Sequence, residues 1–119
     1  MRFTQSRALA TSIATIALAG MSIGAHAQKK YDTGASDTEI KIGNIAPYSG
    51  PASAYGTVLK AANAYFNKIN AEGGINGRKI KFLSLDDGYS PPRAVEQVRK
   101  LVEQEEVLAI FAPLGTPTN

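Results

Sequence analysis

The stretch INAEGGINGRKIKFLSLDDGYSPPRA, residues 69–94, limits what this chain can become more than any other. A double glycine, an Asn-Gly pair, an acidic pair and a double proline punctuate one apolar run. Gly73 and Gly74 supply the positive φ that ends a helix. Asn76-Gly77 is a tight-turn pair. Residues 79–82 alternate into a strand that ends LSL, and Asp86-Asp87-Gly88 stops it. Ser90 is a candidate N-cap, with Pro91 at the first helical position, where a missing N–H costs nothing. In order, the segment is a helix stop, a turn, a strand, a strand stop and a helix start.

The flanks extend this pattern. EIKIGNIAP alternates, with Ile40 and Ile42 on one side and Lys41 on the other, and Pro47 ends it. PYSGPASAYG is a loop that turns into a helix over about residues 54–70, whose apolar positions are Val58, Ala62, Tyr65, Phe66 and Ile69. The helix that opens at Pro91 is expected to bury Val95, Val98, Leu101 and Val102. Residues 107–111, bounded by Pro113 and Gly115, read as a third strand buried on both faces. The order is β-α-β-α-β. Strands separated by helices pair in parallel through right-handed crossovers, so the expected class is α/β with a parallel sheet.

The first residues have a different character. Arg2 and Arg7 precede an uncharged small-residue run, residues 8–24, and Ala25-His26-Ala27 forms an A-x-A pattern. These are the three parts of a secretory signal peptide. A transmembrane anchor is the competing reading, and the shortness of the run and the cleavage pattern favour the signal. Cleavage after Ala27 leaves 119 − 27 = 92 residues, 28–119. Loss of Arg2 and Arg7 lowers the basic count from 13 to 11 against 10 acids, so the net charge falls from +3 to +1. With no basic stripe left, charge gives no support for nucleic-acid binding. The chain has no cysteine, which is unusual for a short exported domain.

After Ala27 there is neither Cys nor His. Zinc sites built from those ligands, and Ser-His-Asp or Cys-His devices, are excluded within these residues. The loop after the first strand lacks G-x-G-x-x-G. No cofactor is implied. Asp86 and Asp87 invite an acid–base reading, but adjacent strand residues point to opposite faces and cannot easily flank one bond. A strand-end turn with capping contacts is the favoured role. Tyr48 and Tyr55 sit in the first β-α loop and at the start of its helix, with Ser49 and Ser53 nearby. Open parallel sheets bind ligands beyond the carboxyl ends of their strands, and these residues and the final GTPTN lie there. Position alone leaves packing and ligand roles both open for them.

IGNIAPYSGPASAYG, INAEGGINGRKIKFLSLDDGYSPPRA and VLAIFAPLGT, in this order and spacing, closely resemble the start of a type I periplasmic binding protein of the branched-chain (hydrophobic) amino-acid group. The resemblance runs from about Glu39 to Asn119. It implies two α/β lobes joined by a hinge, with a solute held between them and delivered to a membrane ABC permease, and no catalysis. It implies that Tyr55, before the first-loop glycine, lines the cleft. It also implies that Thr116, where the family commonly has Ser, helps hold a ligand carboxylate. Tyr48 stands where a smaller aliphatic residue is common, so aromatic and other organic acids join amino acids as expected solutes. The expected ligand-binding residues are therefore Tyr55, Thr116, Tyr48 and Ser49.

Family members are several times longer. The resemblance implies that residues 28–119 are the N-terminal part of lobe one and that the chain is a fragment. The expected protein is a periplasmic receptor, exported by a cleaved signal peptide. The alternative reading is a free-standing exported interaction module that binds no small molecule.

Overall fold

A computed structural model describes residues 31–119; the expected signal peptide, residues 1–27, lies outside the described residues. Three strands and two helices alternate: β1 (Glu39–Ala46), α1 (Gly56–Ala71), β2 (Lys79–Asp86), α2 (Pro91–Glu103) and β3 (Ala109–Ile110). The strands form one parallel sheet in the order β2-β1-β3. β1 pairs with β2 along its whole length, from Glu39 opposite Lys79 to Ala46 opposite Asp86. The expected β-α-β-α-β arrangement is present.

The pleat of β1 divides the two layers. Ile45 packs with Ala94 and Leu101 of α2, with Val107, and with the half-buried Leu83, Leu85, Val98 and Ile110. Full burial of Ile45 and Leu101 contributes roughly 1.5–3 kcal/mol each. Gly43 lies on this layer because a Cβ there would stand 3.0–3.2 Å from Ile110, Val107 and Leu101. Its bare backbone lets those side chains settle on the sheet. The other layer is aromatic: Phe66 of α1 meets Phe82 of β2 edge-on at 5.1 Å and Phe111 at 5.5 Å between ring centroids. Each such pair adds about 0.5–1.5 kcal/mol beyond its buried area.

The punctuation of residues 69–94 folds as read. Gly73 and Gly74 have φ of 113° and 79°, and Asn76 and Gly77 have 50° and 79°. Ile75 and Arg78 exchange both backbone hydrogen bonds around the Asn-Gly pair, at 2.8 and 2.9 Å. Ser90 holds the extended N-cap backbone with Pro91 behind it, but its side chain makes no cap hydrogen bond. Asp87 supplies contacts at this turn, accepting the Tyr89 N–H on Oδ1 and the Ser90 N–H on its carbonyl.

Three burial expectations need correction. On α1, Val58 and Tyr65 are exposed, and Leu59 is 2% exposed instead. Leu59, Ala62, Phe66 and Ile69 are spaced 3, 4 and 3, one unbroken stripe, and Val58 and Tyr65 run along its flank. On α2 the covered stripe is Ala94, Val98 and Leu101, leaving Val95 and Val102 outside. The third strand is shorter than expected and is not buried on both faces. Glu106 and Ala112 have positive φ, which breaks the extended backbone on each side, and Leu108 and Phe111 stay exposed on this edge.

Candidate functional site

Parallel strands end together, so the loops after β1, β2 and β3 (residues 47–55, 87–90 and 111–115) share one end of the sheet. Two buried or half-buried polar groups fasten them.

The first is Asp86, the last residue of β2. Its Oδ1 accepts the backbone N–H of Tyr48 at 2.9 Å, of Ser49 at 3.1 Å and of Gly88 at 2.9 Å. Its Oδ2 accepts the Ser49 hydroxyl at 2.5 Å and faces the Arg93 guanidinium at 3.3 Å. Desolvation pushes this carboxyl up, but the hydrogen bonds from Ser49, Gly88 and Tyr48 outweigh it and hold the group well below the usual aspartate range. The carboxylate ties the first loop to the second and to the start of α2. This is the capping role favoured from the sequence.

The second is Asn44, fully buried in β1. Its Nδ2 donates to the carbonyls of Phe111 and Ala112, both at 2.7 Å. Its Oδ1 accepts the Ser84 hydroxyl at 2.7 Å, and Ser84 Oγ lies 2.5 Å from the Tyr48 hydroxyl. Asn44 Oδ1 can only accept, so Ser84 spends its proton there and Tyr48 donates to Ser84. One relay thus runs from the first loop across two strands to the chain after β3. It leaves the Tyr48 oxygen able to accept a hydrogen bond but not to donate one.

The four expected site residues fall in or beside these loops. Tyr48 and Ser49 are held by Ser84 and Asp86. Tyr55 closes a 3-10 turn, Ser53–Tyr55, at the entrance to α1, and is 59% exposed. Thr116 opens a second 3-10 turn, Thr116–Thr118, with its residue exposed. Its loop hangs from β1 through the Leu114 N–H to the Ile45 carbonyl at 3.2 Å. Asp87 is fully buried beneath the second loop, and its Oδ2 has no hydrogen-bond partner among the described residues. The sequence reading missed Asn44 and Ser84. An Asn inside an otherwise apolar strand was the available signal, because a buried amide must be paired.

Among the described residues, no group of three or more His, Cys, Asp and Glu is placed to hold a metal ion. No helix among them is long and apolar enough to cross a membrane. An apolar groove of about 490 Å³ runs along the outer side of α2, past Val95, Val98, Val102 and Pro117. None of the four expected residues lines it.

Residues 39–119 match the sequence profile of the periplasmic binding protein family. An amino acid binding protein of Pseudomonas aeruginosa is 36% identical over 73 residues, covering 60% of this chain and 20% of the relative. A fatty acid ABC transporter substrate-binding protein from Thermomonospora curvata superposes with a TM-score of 0.65 at 32% identity, covering 75% of this chain and 23% of its own. A branched-chain amino acid transporter substrate-binding protein from Streptococcus pneumoniae, solved with isoleucine, has a TM-score of 0.64 at 34% identity, covering 68% and 24%. The chain spans about a fifth of the length of the curated relatives it matches.

Proposed function

We propose that this chain, which belongs to the periplasmic binding protein family, serves a receptor that binds an amino acid or related small organic acid and delivers it to an ABC importer. In this reading residues 28–119 form the N-terminal part of the first lobe of the ligand-binding domain, and residues 1–27 are a signal peptide that is cleaved on export. The partners are the solute and the membrane subunits of the permease. The protein binds and does not catalyse, as befits a family of transport receptors.

One observation carries the reading. Three loops at the carboxyl end of a parallel sheet are locked to one another by Asp86 and Asn44, while Tyr55 and Thr116 stand exposed beside them. A fixed backbone beside exposed hydroxyl-bearing residues is a surface prepared to meet a solute, since little ordering remains to be done on binding. The solutes named for the two similar structures, a fatty acid and isoleucine, share a carboxylate. A carboxylate is the group that an exposed hydroxyl such as Thr116 can donate to.

A thermal-shift screen of a full-length version, with both lobes present, against amino acids and aliphatic and aromatic carboxylic acids tests this. The expected result is a saturable rise in Tm with at least one of them. A flat response across the whole panel would refute the receptor reading.

A further inference from the structure

The structure assigns Tyr89 a positioning role: its ring holds Gly115 and so sets where Thr116 is presented. This inference rests on the solute-binding reading above. β2 and β3 are not neighbours; β1 lies between them. A contact from the second loop to the third must therefore cross the end of β1, and the Tyr89 ring makes that crossing. A Cβ built on Gly115 would fall 2.7 Å from Tyr89 Cε2 and 3.2 Å from Cδ2. The ring edge and the Thr118 hydroxyl together occupy the space that a side chain at 115 would need.

The backbone is arranged to aim the ring. Tyr89 has φ of 62°, a left-handed conformation that is uncommon for a bulky residue. Such conformations persist only where the surroundings impose them. Here the fully buried Asp87 accepts the Tyr89 N–H at 2.8 Å. On the receiving side, Gly115 has φ of 139° and would otherwise be the freest point in the third loop. Beside the ring, the Thr118 hydroxyl bonds the carbonyls of Leu114 and Gly115 at 3.2 and 3.3 Å and closes the turn. Tyr89 and Thr118 crowd the same face of Gly115, so that face cannot turn without losing both contacts, and Thr116 is the next residue. The ring alone makes the contact with Gly115, so the hydroxyl of Tyr89 is not required for it.

The test combines Tyr89→Ala, Tyr89→Phe and Thr116→Ala in the protein as its gene encodes it. Backbone amide exchange is read without solute, and affinity is read for whichever carboxylic or amino acid the screen above yields. Tyr89→Ala should speed exchange at Leu114 and Thr118 and weaken affinity about tenfold, while Tyr89→Phe restores both. If Tyr89 acts through Thr116, the double variant Tyr89→Ala/Thr116→Ala should bind no worse than Thr116→Ala alone. Unchanged exchange at Leu114 in Tyr89→Ala would overturn the positioning role, with or without a solute. So would full additivity of the two affinity losses, which would leave the receptor reading standing. A parent protein that binds nothing in the panel would remove the receptor reading and this inference with it.

Discussion

Asp86 Oδ2 lies 2.5 Å from the hydroxyl oxygen of Ser49, which ties the end of β2 to the loop after β1. The same carboxylate collects three backbone N–H groups, and its pKa is depressed by the hydrogen bonds it receives. A depressed folded pKa gives stability that is present above the unfolded value, about 3.9 for aspartate, and is lost as pH falls from there toward the folded value. Asp86→Asn should therefore cost about 2 kcal/mol at pH 7, the order of hydrogen bonds to a charged group. Urea unfolding of both proteins at pH 7 and pH 3 checks this. The gap should narrow at pH 3; an equal gap at both would show that the charge is not what matters.

Asn44 is the pin between β1 and the chain after β3. Asn44→Ala removes both donors from the Phe111 and Ala112 carbonyls and should cost about 2–3 kcal/mol. Asn44→Asp keeps the shape but sets a carboxylate against those two carbonyl oxygens. It should be at least as damaging at neutral pH as the alanine change. Thermal unfolding of the two variants decides the point, and a near-neutral Asn44→Asp would contradict the donor assignment.

The reassigned face of α2 has a simple consequence. Leu101 is fully buried in the core cluster, and its neighbour Val102 is 51% exposed. Leu101→Ala should cost about 3 kcal/mol, and Val102→Ala no more than about 0.5 kcal/mol. Comparable losses at the two positions in denaturant titrations would restore the face expected from the sequence.

Asn70, near the end of α1, covers the outer edge of β2. Its Nδ2 donates to the Ile80 carbonyl and its Oδ1 accepts the Ile80 N–H, both at 2.7 Å, as a neighbouring strand would. Lys79 Nζ adds a bond to the Asn70 carbonyl. Asn70→Ala should cost about 1–2 kcal/mol, speed amide exchange at Ile80 and increase self-association, because a bare strand edge invites pairing. An Ile80 amide that exchanges as slowly as in the parent would count against this.

The order of elements was legible because breakers mark it. Gly73-Gly74, Asn76-Gly77 and Ser90-Pro91 each demand a particular backbone conformation, and that demand is local. Helix faces were less legible. Val58 and Leu59, or Leu101 and Val102, are adjacent apolar residues, and periodicity alone does not choose between them; the sheet they pack on does. β3 was read too long because apolar composition says nothing of the positive φ at Glu106 and Ala112 that bounds it. The turns at Tyr55 and Thr116 were placed correctly at the sheet's carboxyl end, since that follows from strand order. The Asn44–Ser84–Tyr48 relay was not seen. It joins residues 36–68 positions apart through a register that only the paired sheet reveals.

Amide chemical-shift mapping during a solute titration shows whether the carboxyl end of this sheet receives a small carboxylate solute. Saturable shifts are expected to concentrate at Tyr48, Ser49, Tyr55 and Thr116, with little change at Thr38, Arg78 and Lys79 at the opposite end of the strands. Saturable shifts centred on that opposite end, or along the outer side of α2 at Val95 and Val102, would contradict this expectation.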